Sequence, residues 1–324
     1  MPLLKRLLRA IAAIALLTVI SAHAQPWPSQ TIRVIVPFPP GGTTDQIARL
    51  LQPQLQQAFG VSVVIDNRGG ASGAIGAGIA AKAPPDGYTF LLVFDTHGVN
   101  PSLIPNMPFD TLKDLAPIML VGKSPMVITA HASFPYNTFA EVLKLAKARP
   151  GVVTFGTIGS GSLAHLAMTM ITNQAKIEMT HIPYKGGGPL IINAIGGHVP
   201  VAIASLALLA PHIQSGRLKA IGITSPQRHP QYPNVATVAE SALPGFEAEA
   251  WWGLLAPTHT PAAIMTRVHA EVTKALRAPA MRQNFDQQAL TVVASTPEAF
   301  GRFLASEVER WARVVRDNKI KAGE

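Results

Sequence analysis

Short apolar segments rich in β-branched residues alternate along the chain with segments whose apolar residues recur every three or four positions. The first kind predicts buried strands and the second predicts amphipathic helices. The predicted strands span residues 31–37, 62–65, 89–94, 152–155, 178–182, 200–204 and 218–224. The predicted helices span residues 45–59, 71–83, 138–148, 162–174, 189–196 and 206–214. This order is typical of a parallel α/β protein, and the near-continuous hydrophobicity of the strands indicates that helices cover both sheet faces.

A repeated unit within this pattern predicts two lobes. The strand, glycine-rich turn and helix at residues 32–48 are echoed at residues 153–167. Between the two units, the apolar run 118–129 is interrupted at residues 122–125. Such a run suits a strand that leaves one lobe and enters the other, so we place the first hinge there.

The C-terminal part of the chain has a different pattern. Proline-rich loops follow residue 224, and helices are predicted at residues 261–277, 280–288 and 297–319. From its length, we expect this tail to return to the first lobe. The predicted first lobe is therefore residues 25–121 with 226–324, and the second is residues 122–225.

The N-terminus has the order of a secretory signal peptide. Lys5, Arg6 and Arg9 precede an apolar run at residues 10–20 and the small-residue sequence SAHA at residues 21–24. The run is about half of the roughly 20 residues needed to span a bilayer, so we expect cleavage after Ala24 and not a retained anchor. In a bacterium with two membranes, the mature protein would be periplasmic and soluble.

Composition narrows the functional classes. The chain has no cysteine, which excludes disulfides, thiol catalysis, zinc–thiolate sites and a lipid on an N-terminal cysteine. Without the three signal-peptide cations, 24 basic residues face 18 acidic ones, and the net charge falls from +9 to +6. The cations form no basic run, so nucleic-acid binding gains little support.

Two glycine-rich turns, each between a predicted strand and a predicted helix, are the strongest candidates for a binding site. The residues of these turns are Pro40, Gly41, Gly42, Thr43, Thr44 and Asp45 in the first lobe, and Gly159, Ser160, Gly161 and Ser162 in the second. Free N–H groups at a helix N-terminus favour an anion, and the carboxyl ends of strands face the ligand edge of an open sheet. A tight turn with a helix cap explains either turn singly, but the pair favours a cleft that binds an anion.

Two further polar segments follow predicted strands at the same edge. Thr96 and His97, with Asn100, form one segment, and Tyr184 with Lys185 forms the other. Ordinary loop structure explains each residue singly. Their shared location favours a cleft.

Catalytic and metal-binding patterns are weak. Ser160 and Ser162 lie beside glycines without completing a G-x-S-x-G elbow, and His165 follows Ser162 by three residues with no nearby acid. A serine hydrolase is therefore a minor hypothesis. No histidine cluster has metal-ligand spacing and no phosphate loop is present, so we predict neither a metal nor a cofactor.

An ordered series of motifs resembles the substrate-binding proteins of tripartite tricarboxylate transporters, often called Bug proteins. The motifs are IRVIVPFPPGGTTD at residues 32–45, DNRGGASG at 66–73, APPDGYT at 83–89, GSLAHL at 161–166, IPYKG at 182–186, AE at 239–240 with PGF at 244–246, and WWG at 251–253 with AP at 256–257. The resemblance covers essentially the whole mature chain.

The resemblance implies a type 2 periplasmic binding fold, with two parallel-sheet α/β lobes that close on a ligand in the cleft between them. It implies that backbone groups near Pro40–Thr43 hold a ligand carboxylate, that Gly159–Ser162 and His165 face the ligand, and that Thr96 and His97 vary with substrate. Where family members often carry an acidic residue, this chain has Ser205. That difference argues against an amino-acid ligand.

The sequence therefore predicts a receptor that captures a mono- or dicarboxylate, including aromatic acids, and performs no chemistry. Its expected partners are the ligand and the membrane permease subunits, and we expect a monomer. The alternative is a sensor that presents its closed form to a membrane histidine kinase.

Overall fold

The computed structural model describes residues 27–318 and residue 320. The predicted signal peptide, residues 1–24, lies outside the described residues. The described strands form one curled path, which divides into two sheets that share a single long strand.

The first sheet contains the N-terminal strands and the strands from the C-terminal part of the chain. They are β1 (Ile32–Val36), β2 (Val63–Asn67), β3 (Thr89–Phe94), the first part of β4 (Leu115–His131), β9 (Glu249–Pro257) and β10 (Thr291–Val292). The order is β2-β1-β3-β9-β4-β10. β1 pairs in parallel with β2 and β3, and β9 runs antiparallel between β3 and β4. All six residues of β3 are buried, as expected for a strand covered on both faces.

The second sheet continues from the same long strand. It contains the rest of β4 with β5 (Thr154–Thr157), β6 (Thr180–Pro183), β7 (Val201–Ser205) and β8 (Leu218–Ile223). The order is β8-β4-β7-β5-β6, with β4 antiparallel to both of its neighbours. β4 pairs with β9 as far as Pro125 and with β7 from Met126 onward. The strand therefore passes from one sheet to the other at this point.

Helices accompany both sheets. Those of the first half of the fold are α1 (Thr43–Phe59), α2 (Ala74–Ala81), α3 (Thr96–Leu103), α9 (Ala262–Arg277), α10 (Pro279–Gln287) and α11 (Pro297–Asp317). Those of the second half are α4 (Phe139–Ala148), α5 (Leu163–Ala175), α6 (Gly187–Ile195), α7 (Leu206–Gln214) and α8 (Val238–Ser241). Ile47, Leu51, Leu55 and Phe59 place one buried face on α1, and Gly60 ends that helix with a left-handed φ of 71°.

Two adjacent tryptophans on β9 anchor helices on opposite faces of the first sheet. The Trp251 indole N–H donates to Glu307 on α11 at 3.1 Å, and the Trp252 indole N–H donates to the Thr44 hydroxyl at 3.2 Å. Both tryptophans are almost completely buried. β9 thus fixes the first turn of α1, where the first glycine-rich turn ends.

Three differences between the structure and the sequence prediction affect the first sheet and the cleft. β9 was not predicted, and its antiparallel pairing makes the first sheet mixed instead of purely parallel. The predicted polar loop containing Thr96 and His97 is helix α3. The predicted helix 71–83 is divided into a 3-10 turn, Ala71–Gly73, and the shorter α2, because Ser72 and Gly73 both have positive φ angles.

Within the described part of the chain, no helix combines the length and apolar composition needed to cross a bilayer.

Candidate ligand-binding site

The turn between β1 and α1 is shaped by two glycines and supported by Asp45. Gly41 has a φ of +88°, in the left-handed region that favours glycine, and Gly42 is extended at the N-cap of α1. The Asp45 carboxylate accepts hydrogen bonds from the Gly41 amide at 3.0 Å, the Asn67 side-chain amide at 3.0 Å and the Arg49 guanidinium at 2.9 Å. These bonds fix the shape of the turn.

Asp45 is ionised at neutral pH, although it is buried. Burial raises its pKa, but hydrogen bonds from Arg49, Gly41 and Asn67 outweigh this effect and lower the pKa below the ordinary value of 3.8. Asp45 therefore supports the turn, and it is absent from the lining of both chambers.

The N-terminal ends of four described helices converge on a chamber of about 30 Å³, which we call the small chamber. They are the starts of α1, α5, α6 and α7, represented by Thr43, Ala164, Gly187 and Ser205. The small chamber is lined by Phe38, Gly42, Thr43, Thr44, Phe94, Met126, Ile158, Ala164, Gly187, Ala204, Ser205 and Leu208. Its volume accommodates a group of only a few atoms.

The small chamber favours an anion without any charged side chain in its described lining. Each helix start carries a partial positive charge and N–H groups that have no partner within the helix. Among the described residues, the N-caps Gly42, Gly186 and Ser205 of α1, α6 and α7 form no side-chain capping hydrogen bond. The first turns of α1 and α6 therefore keep donors for another group, whereas in α7 the Ala207 amide already donates to the Ser124 hydroxyl at 3.0 Å.

Thr43 provides a second sign that the small chamber receives a polar group. Thr43 is 5 % exposed, and its hydroxyl is fully buried with no hydrogen-bond partner among the described residues. A buried hydroxyl without a partner is costly, and native structures seldom leave one unexplained. A ligand oxygen in the small chamber would supply the missing partner.

A second cavity, the large chamber, lies beside the first and has a volume of about 830 Å³. It is lined by Phe38, Pro39, Gly69, Gly70, Ala71, Ser72, Gly73, Asn100, Leu103, Ile104, Ile158, Gly159, Ser160, Gly161, Pro183, Tyr184, Lys185 and Gly186. The lining comes from both halves of the fold. Phe38 and Ile158 line both chambers and separate them.

Direct contacts join the two walls of the cleft. The Ser72 hydroxyl donates to the Ser160 carbonyl oxygen across the cleft at 2.7 Å, and the Asn100 side-chain amide, on the same wall as Ser72, donates to the Ser72 carbonyl oxygen at 3.0 Å. Near the small chamber, the backbones of Gly42 and Gly187 approach so closely that a Cβ added at Gly187 would lie 3.2 Å from the Gly42 Cα. The cleft is closed in this structure.

Ser162 and His165 support the second glycine-rich turn, and their geometry does not suit a hydrolase. The Ser162 hydroxyl caps α5 by accepting from the His165 amide at 3.2 Å, and His165 Nδ1 accepts from the Gly161 amide at 3.1 Å. The His165 ring stacks on His181 with 4.1 Å between ring centroids, and burial lowers the pKa of His165. Both polar groups are thus engaged with backbone N–H groups and with neighbouring rings.

Thr96 and His97 lie within the first lobe, away from both chambers. They are 2 % and 3 % exposed on α3, and the His97 ring stacks on Phe109. Burial lowers the pKa of His97 to about 4, so this ring is neutral at physiological pH. Thr96 and His97 therefore line neither chamber, while Asn100 on the same helix does line the large chamber.

Eight of the predicted site residues line a chamber. Gly42, Thr43, Thr44 and Ser205 line the small chamber, and Gly159, Ser160, Gly161 and Tyr184 line the large one. The other seven lie elsewhere: Pro40, Gly41, Asp45, Thr96, His97, Ser162 and His165. Of these, Gly41, Asp45, Ser162 and His165 support the two turns.

Sequence reasoning missed several apolar residues of the chambers. Phe38, Leu103 and Ile158 line them, but each lies in a hydrophobic context that the sequence does not distinguish from the core. Ser72 was also missed. The signal was available there, because Gly69, Gly70 and Gly73 surround it and mark a second unusual turn.

Within residues 27–318 and residue 320, no three His, Cys, Asp or Glu side chains are placed to hold a metal ion.

The structure has two α/β lobes that share a crossing strand and enclose a cleft edged by helix N-termini. This arrangement defines a solute-binding protein that closes on its ligand. The family model "Tripartite tricarboxylate transporter family receptor" matches residues 47–320. The chain therefore belongs to the tripartite tricarboxylate transporter receptor family. This is a family of periplasmic binding proteins, so the protein binds a solute and is not an enzyme.

Known relatives agree over nearly the whole chain. Protein BugT of Bordetella pertussis is 38% identical over 92% of this chain and 92% of its own length. The structure of the periplasmic binding protein BugD has a TM-score of 0.86, with 31% identity over 91% of this chain and 99% of that chain. The structure of R. palustris Rpa4515 with adipate has a TM-score of 0.87 and 30% identity, over 91% of this chain and 99% of that chain. These similarities agree with a type 2 periplasmic binding fold.

Proposed function

We propose that this protein is a periplasmic receptor that captures a small carboxylate and delivers it to the permease of a tripartite tricarboxylate-type transporter. The observation that carries the proposal is the small chamber, where helix N-termini meet around the unpaired Thr43 hydroxyl. A carboxylate has two acceptor oxygens, which match the N–H and hydroxyl donors of the small chamber, and a negative charge, which matches the partial positive charge of the helix N-termini. The adipate found in a relative supports the same ligand class.

The proposed lobes are residues 25–121 with 226–324, and residues 122–225. The change of partner along β4 at Pro125 and Met126 supports the first hinge. Export through a cleaved signal peptide fits a family of periplasmic receptors. We expect the mature protein to be a monomer, which size-exclusion chromatography with light scattering would test.

Transport is favoured over signalling because the family model is that of a transporter receptor. A membrane histidine kinase could read the same closed form, and no feature of the described residues favours that partner.

The Thr43→Val variant tests the proposed site. Valine has nearly the same shape but no hydroxyl, and a hydrogen bond to a charged group contributes roughly 1.5–3 kcal/mol. We expect the Kd for carboxylates to rise about 10- to 100-fold, measured by isothermal titration on protein stripped of co-purified ligand.

Thr111→Val is the matched control, because Thr111 also has a buried, unpaired hydroxyl but lies outside both chambers. Its carboxylate affinity should equal that of the unmodified protein. Neutral amide analogues of the same acids should bind neither form measurably. If no acid in a broad panel binds, or if both threonine variants behave alike, the small chamber is not the carboxylate site.

A further inference from the structure

The junction between the two chambers restricts the shape of the ligand. Phe38 and Ile158 border both chambers, so a ligand whose carboxylate occupies the small chamber extends past these two side chains into the large one. The small chamber holds only a few atoms, whereas the large chamber has about 830 Å³. The carboxylate and the body of the ligand therefore occupy surroundings of different size and chemistry.

The large chamber has mainly apolar side chains. Its walls include Phe38, Leu103, Ile104, Ile158 and Tyr184. Apolar walls stabilise an apolar ligand body by removing both surfaces from water. The same walls disfavour a second charged group, because a charge taken from water into such surroundings needs a partner.

Two of the polar side chains in these walls are already engaged with carbonyl oxygens. Ser72 donates to the Ser160 carbonyl oxygen, and Asn100 donates to the Ser72 carbonyl oxygen. Only the first of these bonds joins the walls. The hydroxyls of Ser160 and Tyr184 also line the large chamber, but they are neutral and would not compensate the charge of a second carboxylate. Two helix N-caps in the described lining, Gly73 of α2 and Gly186 of α6, border the large chamber, whereas four helix starts converge on the much smaller one.

Lys185 is the one charged side chain in the described lining of the large chamber. It is exposed, so water screens its charge and competes for its ammonium group. An exposed lysine attracts anions toward the opening of a cleft but does not compensate a carboxylate buried between apolar walls.

We propose that the ligand has one carboxylate and an uncharged, largely apolar body that is as bulky as a ring, so that the receptor selects aryl or bulky alkyl monocarboxylates over dicarboxylates. The proposal rests on the proposed function, because it takes the carboxylate to lie in the small chamber. It sets this chain apart from the relative whose structure contains adipate, which carries a carboxylate at each end.

Matched acids test this selectivity by isothermal titration on ligand-stripped mature protein. 4-Methylbenzoate and terephthalate differ only by a methyl group in place of a second carboxylate, and hexanoate and adipate form a linear pair with the same six carbon atoms. We expect the monocarboxylate of each pair to bind at least tenfold more tightly. A dicarboxylate that binds as tightly as its partner overturns the selectivity but leaves carboxylate capture intact, whereas no binding by any of these acids contradicts both proposals.

Two variants examine the walls directly. Ile158→Ala removes apolar surface beside the junction, so the affinity for 4-methylbenzoate should fall about fivefold or more. Lys185→Met should keep the preference for the monocarboxylate of each pair. If Lys185→Met weakens only the dicarboxylates, by tenfold or more, then Lys185 anchors a second carboxylate and the proposal is wrong. Circular dichroism and thermal melts of both variants establish that each is folded.

Discussion

Neighbouring residues of the first glycine-rich turn have different roles that depend on the partner each one finds. Thr43 has a buried hydroxyl without a partner, Thr44 accepts a hydrogen bond from Trp252, and Asp45 is bound by Arg49. In the sequence all three are equivalent candidates for a helix cap or a ligand contact. Both threonines line the small chamber, and only residues distant in the chain, here those of β9, distinguish the one with an unpaired hydroxyl from the one that anchors the helix.

Asp45 should stabilise the fold in a pH-dependent manner. Its pKa in the folded protein lies below the ordinary value of 3.8. Its contribution to the free energy of unfolding is therefore complete above pH 3.8 and is lost as the pH falls through the folded-state pKa. We expect Asp45→Asn to lower the free energy of unfolding at pH 7 by roughly 1–3 kcal/mol, because hydrogen bonds to a buried carboxylate are lost. Urea denaturation at pH 7 and at pH 3 would measure the difference.

The loss of unfolding free energy caused by Asp45→Asn should be smaller at pH 3 than at pH 7. Asp317→Asn provides the control, since Asp317 and its partner Arg316 are both exposed and a surface ion pair contributes about 0–1 kcal/mol. A deficit that is the same at pH 3 and pH 7 would show that the charge of Asp45 does not matter.

At the scale of secondary structure, the contact between the 3-10 turn and the second glycine-rich turn is a direct bond between the lobes. Ser72 has a φ of 51°, an unusual angle for a residue with a side chain, and Asn100 on α3 bonds its carbonyl oxygen. This arrangement presents the Ser72 hydroxyl to the Ser160 carbonyl oxygen. The bond exists only when the lobes are closed, so it should favour the closed form for any ligand.

Ser72→Ala should therefore weaken the binding of all ligands by a similar factor. A net contribution of about 0.5–1.5 kcal/mol for one hydrogen bond corresponds to roughly a two- to tenfold rise in Kd. Stopped-flow measurements should locate the change in the dissociation rate, because the bond forms after the ligand has entered. Ser160→Ala is the matched control, since the acceptor is the backbone oxygen of Ser160 and survives the substitution. Equal effects of the two variants would exclude this bond as the cause.

The elements that the sequence predicts well are those whose pattern is local. β1, β3 and α1 follow from apolar runs and from four-residue spacing. β9 was overlooked because its nine residues include no β-branched residue and contain Gly253, so the segment lacks the composition that identified the other strands. α3 was assigned to a loop because Gly98 and Pro101 lie within it, and packing against α11 overrides that weak propensity.

For the whole molecule, the small chamber exists only through the meeting of helices that begin more than 160 residues apart. Thr43 on α1 and Ser205 before α7 line the same space, and the strand β4 connects the sheets that carry them. The sequence predicted two anion-receptive turns at sheet edges. It did not predict that Gly42 and Gly187 would come into contact, because that contact depends on how the lobes close.

Closure brings glycine backbones together, and this close approach can be blocked. A Cβ added at Gly188 would lie 3.1 Å from the Pro40 carbonyl oxygen, so a larger side chain there would hold the lobes apart. Gly188→Leu should therefore abolish the ligand-induced decrease in the radius of gyration measured by small-angle X-ray scattering. It should also raise the Kd at least tenfold, because the apparent affinity falls with the population of the closed form.

The position of Gly188 separates failed closure from failed folding. Gly188 is the second residue of α6 and lies outside the described lining of both chambers. Leucine has a higher helix propensity than glycine, so the melting temperature without ligand should not fall. Gly188→Ala adds one methyl group and should give an intermediate affinity. If Gly188→Leu still compacts on ligand binding with unchanged affinity, the glycine contact between the lobes is not needed for capture.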